Sequence, residues 1–449
     1  MIDELISNLD SSLLGLHIHD IHIPSVFLAD DTLLLSCSVG NIQRLLDIVF
    51  EFSCKWRLNY NSTKSSLLRF CNSRKKFTPE IQCKLGDQKI AWVTQKEYAG
   101  IILTPTLQCD EDIKRSCAKG RRSLNSLISV GIHDGGMNPI TSSKLVETIV
   151  QPVILYGSEL WGAPTLKSQE DLRKTQRYAA RRCQGFEKTS PTLATTRALG
   201  MLDICGEVEQ KKLIFWNKLC SASSVFVWKL LFIVRLCAFA FGKKSLNEKS
   251  FVFDIFAIAS KFDITDSLFD YIFEGFQPSR FSWKSFCKNV VQSFYQTKWL
   301  GEIVHLESFQ IYASVHQNYG PNPLWTLALK YPNYTWQLSE MIKLSYRHEK
   351  EPVLCKLCNK LTDNITVHFL IQCYCLFETR DKMLEFLVNY LDVYEYVKFD
   401  NLEDHEKCFF LLGSKQDILL DDERWPVVMI TVSDFIHRMI QDMNCLIDL

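Results

Sequence analysis

The sequence predicts an α+β fold that is predominantly α. Three observations carry this. Short runs rich in Val, Ile, Leu and Phe, bounded by turn residues, fall within residues 22–103. After residue 105 apolar residues recur at helical spacing. Near the other end a C-x2-C-x9-H-x4-C pattern marks a small metal-bound module.

In chain order, MIDELISNLDSSL reads as a helix. His22 to Leu28 and Thr32 to Cys37 read as two strands joined through Ala29-Asp30-Asp31, a hairpin with both carboxylates at its tip. Asn41 is a good N-cap, and Ile42, Leu45, Leu46, Val49, Phe52 and Trp56 follow at helical spacing. Lys64 to Phe70 and Glu97 to Leu103 read as further strands. Asp110, Glu111 and Asp112 suit the positive end of a helix whose apolar face is Ile113, Cys117, Leu124, Leu127 and Ile128. Asn138-Pro139 opens the next helix, with Leu145, Val146, Ile149 and Val150 inward. Ser168 to Asp171 is a capping box, and Ser190-Pro191 to Gly200 brackets a further helix. Residues 206–345 read as aromatic-faced helices without a catalytic signature. Val428 to Leu446 closes the chain as an amphipathic helix with Val432, Phe435, Ile436, Met439, Ile440 and Met443 on one face.

The chain has 449 residues, room for two to four domains, and 47% hydrophobic with 23% charged residues excludes a disordered chain. Net charge is zero, but residues 44–78 carry eight Lys/Arg against two acids, whereas residues 392–449 carry thirteen acids against five bases. A polyanion would therefore meet the first half of the chain; ordinary solvated faces give the same tally. Seventeen cysteines without a regular framework or a signal peptide point to a reducing compartment, so the location expected is intracellular, nuclear or cytoplasmic. The basic run at residues 72–76 is too short to name the nucleus. The membrane-like run Val225 to Phe241 spans 17 residues and contains Lys229 and Arg235, which suits a docked helix and no membrane partner.

Adjacent carboxylates repel unless cations neutralise them, and paired magnesium ions are one solution; a plain Asp-Asp surface turn is the other reading. The surrounding motifs are ordered. Asp30-Asp31 lies between apolar strands, a helix follows, then WRLNYNSTKSSLLRF (Trp56 to Phe70), then EYAGIIL (Glu97 to Leu103). This order resembles the reverse transcriptase of non-LTR (LINE-type) retrotransposons, an RNA-directed DNA polymerase. Trp56, Leu58, Asn61, Lys64 and Ser65 match its W-x-L-x-x-N-x-x-K-(S/T) segment. QPVILYGSELWG (Gln151 to Gly162) and RKTQRYAARRCQG (Arg173 to Gly185) are similar to its thumb and post-thumb helices.

The resemblance implies a partial palm sheet over residues 1–104, a thumb-like helical region over 105–205, a helical connector over 206–345 and a zinc-knuckle-like domain over 346–449. It implies that Asp30 and Asp31 bind magnesium, that Lys64 lies near the departing pyrophosphate, and that Tyr98 and Gly100 hold a primer end, with an RNA template and a DNA primer or target as partners. Lys64 also reads as a solvent-facing lysine on an edge strand, and Tyr98 and Gly100 as ordinary strand and bulge residues. A palm needs a third carboxylate from an earlier strand, yet 29 residues precede Asp30, and Asp3, Glu4, Asp10 and Asp20 offer no substitute. The expectation is a truncated reverse-transcriptase fragment that binds RNA or DNA but does not polymerise alone, unless a full-length relative supplies the fingers. The alternative is a non-catalytic, nucleic-acid-binding or zinc-stabilised interaction protein.

Two further sets of residues carry chemistry. Cys355, Cys358, His368 and Cys373 form the zinc pattern, with Cys375 a possible stand-in for Cys373; four protein ligands leave no open position, so the zinc is structural. The resemblance extends here, and Arg380 matches the arginine that follows the family's last cysteine. Lys114, Arg115, Lys119, Arg121 and Arg122 gather along one side of a helix, and residues 167–188 add Arg173, Lys174, Arg177, Arg181, Arg182 and Lys188, with Tyr178 among them. Such stripes suit a phosphate backbone; a solvated helix face is the plainer reading. Arg177, Arg181 and Arg182 join the first five as candidate nucleic-acid contacts.

Overall fold

The computed structural model describes residues 2–71, 81–241, 250–306, 309–347, 351–416, 418 and 420–447. The basic run at 72–76 lies outside them. Helix accounts for 62% of the structure, and the strands are few and short, so the predominantly α reading holds.

The first helix, α1 (Ile2–Ser11), buries Leu5 and Leu9 in a core with Leu45, Leu46, Val49 and Phe52 of α2 (Val39–Trp56) and with Cys83, Leu85 and Ile90. Glu4 ties the two helices together by pairing with Lys55 and accepting from the Trp56 indole N–H at 3.1 Å. The N-cap of α2 is Ser38, whose hydroxyl accepts from the Asn41 N–H at 3.1 Å. Asn41, the expected cap, sits one turn inside.

Pro24 has no N–H to give a ladder, and the expected His22–Leu28 strand breaks there. Upstream, β1 (Leu16–Ile18) pairs with β2 (Ile21–Ile23); downstream, β3 (Ser25–Leu28) pairs with β4 (Asp31–Leu34). The Lys64–Phe70 strand shrinks to β5 (Ser66–Leu67), because the Asn61 carboxamide accepts from the Thr63 hydroxyl at 2.7 Å and the Lys64 N–H at 3.0 Å and holds Lys64 in a turn. Beyond it, β6 (Lys84–Leu85) pairs with β7 (Gln88–Lys89), and β8 (Ala91–Trp92) lies parallel to β5. The expected Glu97–Leu103 strand is a hairpin, β9 (Lys96–Tyr98) against β10 (Ile101–Leu103). Ala99 and Gly100 turn it with φ of +49° and +78°, the left-handed pair of a two-residue turn. These strands, with the later β11 (Val353–Leu354) and β12 (Leu361–Thr362), form six two-stranded sheets among the described residues. Among the described residues these ladders of two to four residues do not join into a larger sheet.

Helices then follow: α3 (Asp110–Ser126), α4 (Pro139–Leu145), α5 (Gln151–Ile154), α6 (Leu166–Gln184), α7 (Thr192–Thr195), α8 (Ile204–Cys220), α9 (Val227–Phe241), α10 (Phe251–Lys261), α11 (Thr265–Phe269) and α12 (Arg280–Val304). Between α4 and α5 the chain makes a π-turn, Val146–Val150. The extra residue rotates the face, so Val146 and Val150 are buried while Ile149 faces solvent. Thr165, not Ser168, caps α6, accepting from the Ser168 N–H at 3.2 Å. The helix expected up to Gly200 is a single turn, α7. The apolar run forms α9, with Phe232 and Leu236 buried and Trp228 exposed. Among the described residues no helix is long and apolar enough to cross a membrane.

The remaining helices are α13 (Gln310–Val315), α14 (Pro323–Lys330), α15 (Thr335–Ser345), α16 (Ile365–Val367), α17 (Phe377–Tyr390), α18 (Val393–Asp400), α19 (Asp404–Leu411) and α20 (Arg424–Ile447). The last matches the expected closing helix, and its Val432, Ile436 and Met439 are buried where it packs on α15 and α17.

The chain divides into two compact units. One is Met1–Ser116, Leu155–Asp171 and Val208–Lys288; the other is Cys117–Ile154, Leu172–Glu207 and Asn289–Leu449. Along the chain the two units interleave, and α3, α6, α8 and α12 each span a boundary between them.

In the second unit His316 is 2% exposed. Its Nε2–H donates to the Gly320 carbonyl at 2.8 Å, leaving Nδ1 to accept from the Tyr312 hydroxyl at 2.9 Å. That tautomer is neutral, and burial pushes the imidazole down to about 4 from 6.5, aided by Arg197 and opposed by the Gly320 bond. The folded state prefers the neutral ring, so this contribution is full above 6.5 and is lost as pH falls toward 4. We expect about 3 kcal/mol of unfolding free energy to disappear across that window in urea titrations. In His316→Phe the loss across that window should be smaller by about that amount; an equal slope in the variant would contradict the assignment.

Candidate metal centre

The C-terminal cluster is assembled by backbone geometry. Cys355 follows β11, and its N–H donates to the Lys360 carbonyl at 2.9 Å while its carbonyl accepts from the Asn359 N–H at 2.9 Å. Asn359 takes a left-handed φ of +55°, which closes a tight knuckle and turns Cys355 and Cys358 to one side. The Asn364 side chain starts α16 by accepting from the N–H groups of Thr366 and Val367, both at 3.1 Å. A π-turn, His368–Gln372, then brings His368 and Cys373 to the same point. The Arg380 guanidinium donates to the carbonyls of Ile371 and Cys373 and so pins the last ligand. Arg380 is 8% exposed, so it braces the knuckle from within.

The four ligand atoms all lie within 4.8 Å of one another, with Cys355, His368 and Cys373 buried and Cys358 half-buried. Cys355 Sγ is 3.9 Å from Cys373 Sγ, and Cys358 Sγ is 3.1 Å from His368 Nε2. Tetrahedral coordination with metal–sulfur bonds of about 2.3 Å sets sulfur–sulfur edges of about 3.8 Å, so the donor set fits a metal ion. Cys375 lies outside the set, which resolves the choice in favour of Cys373. Against the opposing effect of burial, the backbone N–H groups of Cys358 and Leu357 and the neighbouring thiols lower the Cys355 thiol. Burial, then the charge of Cys355, pushes Cys373 up to about 12. Burial likewise holds the His368 imidazole below its usual range, in the neutral form a metal requires.

The acidic hairpin is present as expected. Leu28 pairs with Asp31, so the two-residue turn is Ala29-Asp30, with Ala29 at φ +53°. Both aspartates are exposed, and among the described residues neither joins an ion pair or a convergent group of three or more metal-binding side chains. Magnesium asks for six oxygens in near-octahedral array, and one hairpin tip does not supply them. Tyr98 of β9 does reach this hairpin, its hydroxyl 3.5 Å from the Val26 carbonyl. Burial and then the Asp31 charge push its phenol up. Gly100 occupies the turn of its own hairpin, where an added Cβ would come within 3.0 Å of the Tyr156 ring. Lys64 is exposed in its turn, not on an edge strand, and its carbonyl accepts from the Lys96 ammonium.

The basic residues separate into two groups. Arg115 is bound inward: it pairs with Glu97 at 2.6 Å and Asp112 at 3.3 Å and donates to the Gly100 carbonyl. Asp112 also accepts from the Trp161 indole at 2.8 Å and the Ile102 N–H at 3.0 Å, so Arg115 anchors the β9–β10 hairpin. Arg173 is likewise paired, with Asp203 at 2.9 Å. Arg181 donates to the Ser190 carbonyl at 3.0 Å, and burial followed by the nearby Arg177 lowers its pKa. Arg177 and Lys119 are half-buried, while Lys114, Arg121, Arg122 and Arg182 are exposed. Arg121 and Arg182 both lie over the Tyr178 ring, at 5.9 and 5.7 Å from its centre. Sequence reasoning missed this contact, although Arg121/Asn125 and Tyr178/Arg182 each carry the i, i+4 spacing that puts two side chains on one helix face.

Comparison of the sequence with known protein families and with curated proteins gave no match.

Proposed function

We propose that this chain is a nucleic-acid-binding protein of reverse-transcriptase lineage, with a C-terminal module held by structural zinc. The observation that carries the reading is the order and spacing of three motifs: the Ala-Asp-Asp hairpin, the Trp56–Ser65 segment and Tyr98-Ala99-Gly100. The approach of Tyr98 to the acidic hairpin supports it. RNA template and DNA primer or target are the partners this lineage implies, met by the exposed arginines through salt-dependent phosphate contacts. Three thiols and an imidazole select zinc over the oxygen-preferring cations, and a fully protein-ligated site serves folding rather than catalysis.

Asp30 and Asp31 hold magnesium only if further carboxylates come from outside the described site, for example from a partner chain. We therefore expect binding without synthesis by this chain alone. A primer-extension assay with RNA template, DNA primer and magnesium should give no extended product while a mobility-shift assay of the same mixture shows complex. Template-dependent product that vanishes in Asp30→Asn would contradict the expected inactivity. A second reading, a zinc-stabilised interaction protein, is favoured by the inward use of Arg115 and Arg173; loss of the mobility shift with an intact metal centre would support it.

A further inference from the structure

Elsewhere in the fold, arginines that lie against other elements are matched by acids, as Arg115 is by Glu97 and Asp112, Arg173 by Asp203 and Arg424 by Glu395, or by backbone carbonyls, as Arg181, Arg197 and Arg380 are. Arg121 and Arg182 are not. Among the described residues neither is in an ion pair, yet both are exposed and both are held. What holds them is Tyr178. Its hydroxyl donates to the Asn125 carboxamide oxygen at 3.0 Å, which fixes the ring relative to α3. Arg121 stands one turn before Asn125 on α3, and Arg182 one turn after Tyr178 on α6, so one ring receives a guanidinium from each helix.

Two like charges gathered on one ring without a carboxylate repel each other. A ring quadrupole offsets only part of this. The missing element is an anion, and a guanidinium fork is shaped for phosphate oxygens. We infer that Arg121, Tyr178 and Arg182 form a two-arginine phosphate clamp in which Tyr178 is a positioning residue that sets where the two guanidiniums meet a nucleic-acid backbone. The inference rests on the nucleic-acid-binding reading and deepens it, because it names the residues and the group they recognise.

Fluorescence anisotropy of the full chain with a labelled mixed-sequence RNA oligonucleotide, repeated over a salt series, tests it. Each phosphate contact contributes about 0.7 to the slope of log affinity against log salt for a single strand. Arg121→Gln and Arg182→Gln should each flatten the slope by about that amount. Tyr178→Leu keeps every charge, yet should weaken binding and flatten the slope as the arginine variants do, while Tyr178→Phe, which keeps the ring but loses the Asn125 bond that fixes it, should fall between Tyr178→Leu and wild type. If wild type binds but Tyr178→Leu matches its affinity and slope, or the arginine variants leave the slope unchanged, the clamp is overturned and the wider reading stands. If wild type binds no RNA and no DNA duplex, both fall together.

Discussion

Cys355→Ser is expected to take the bound metal from about one ion per chain to none and to unfold the C-terminal knuckle. The residue is buried, 3.9 Å from Cys373, and a serine hydroxyl neither ionises nor bonds a soft cation as a thiolate does. β11 and β12 are two residues each and the His368–Gln372 turn is short, so besides the metal the knuckle relies on the Arg380 bonds to Ile371 and Cys373 and on buried Phe369 and Leu370. Structural zinc contributes on the order of 10 kcal/mol to such small modules, so losing one ligand removes much of what keeps the fold closed. Metal content by atomic emission and tryptophan-fluorescence unfolding would read the effect. Cys375→Ser is the control; it lies outside the ligand set and should keep both metal and midpoint. Equal metal content in the two variants would displace Cys355 from the site.

Asp112→Ala should cost about 2–4 kcal/mol of unfolding free energy. The carboxylate is 2% exposed and meets three partners at once: the Trp161 indole, the Ile102 N–H and the Arg115 guanidinium. Alanine would leave the buried Trp161 indole and the Ile102 N–H without their acceptor, while Arg115 would keep Glu97 and the Gly100 carbonyl. Asp112→Asn retains shape and one acceptor oxygen, and should cost less, about 1–3 kcal/mol. Urea unfolding of the three proteins compares them. A cost below about 1 kcal/mol for alanine would mean that the β9–β10 hairpin is anchored by other contacts.

Much of this architecture was legible because local rules govern it. The heptad-like spacing in α2, the acidic first turn of α3 and the amphipathic stripe of α20 each appear where the pattern placed them. The Cys355–Cys373 cluster was legible for a different reason: its spacing is itself a description of a knuckle followed by a helical turn. Errors arose where one residue changed the period. Pro24 split a strand, Ala99-Gly100 folded another back on itself, and the π-turn at Val146–Val150 rotated Ile149 to solvent. Charge was the least legible property. Arg115 and Arg121 look alike in a basic run, but Asp112 and Glu97 claim the first, while Tyr178, 57 residues further along the chain, holds the second. No local pattern reports a contact over that separation.

The affinity of the whole chain for single-stranded RNA as a function of salt tests the nucleic-acid-binding reading most directly. With Arg121, Arg122 and Arg182 in contact, log affinity should fall linearly with log salt at a slope of about −2 or steeper. Affinity that is absent at low salt, or that does not change as salt is raised, would contradict it.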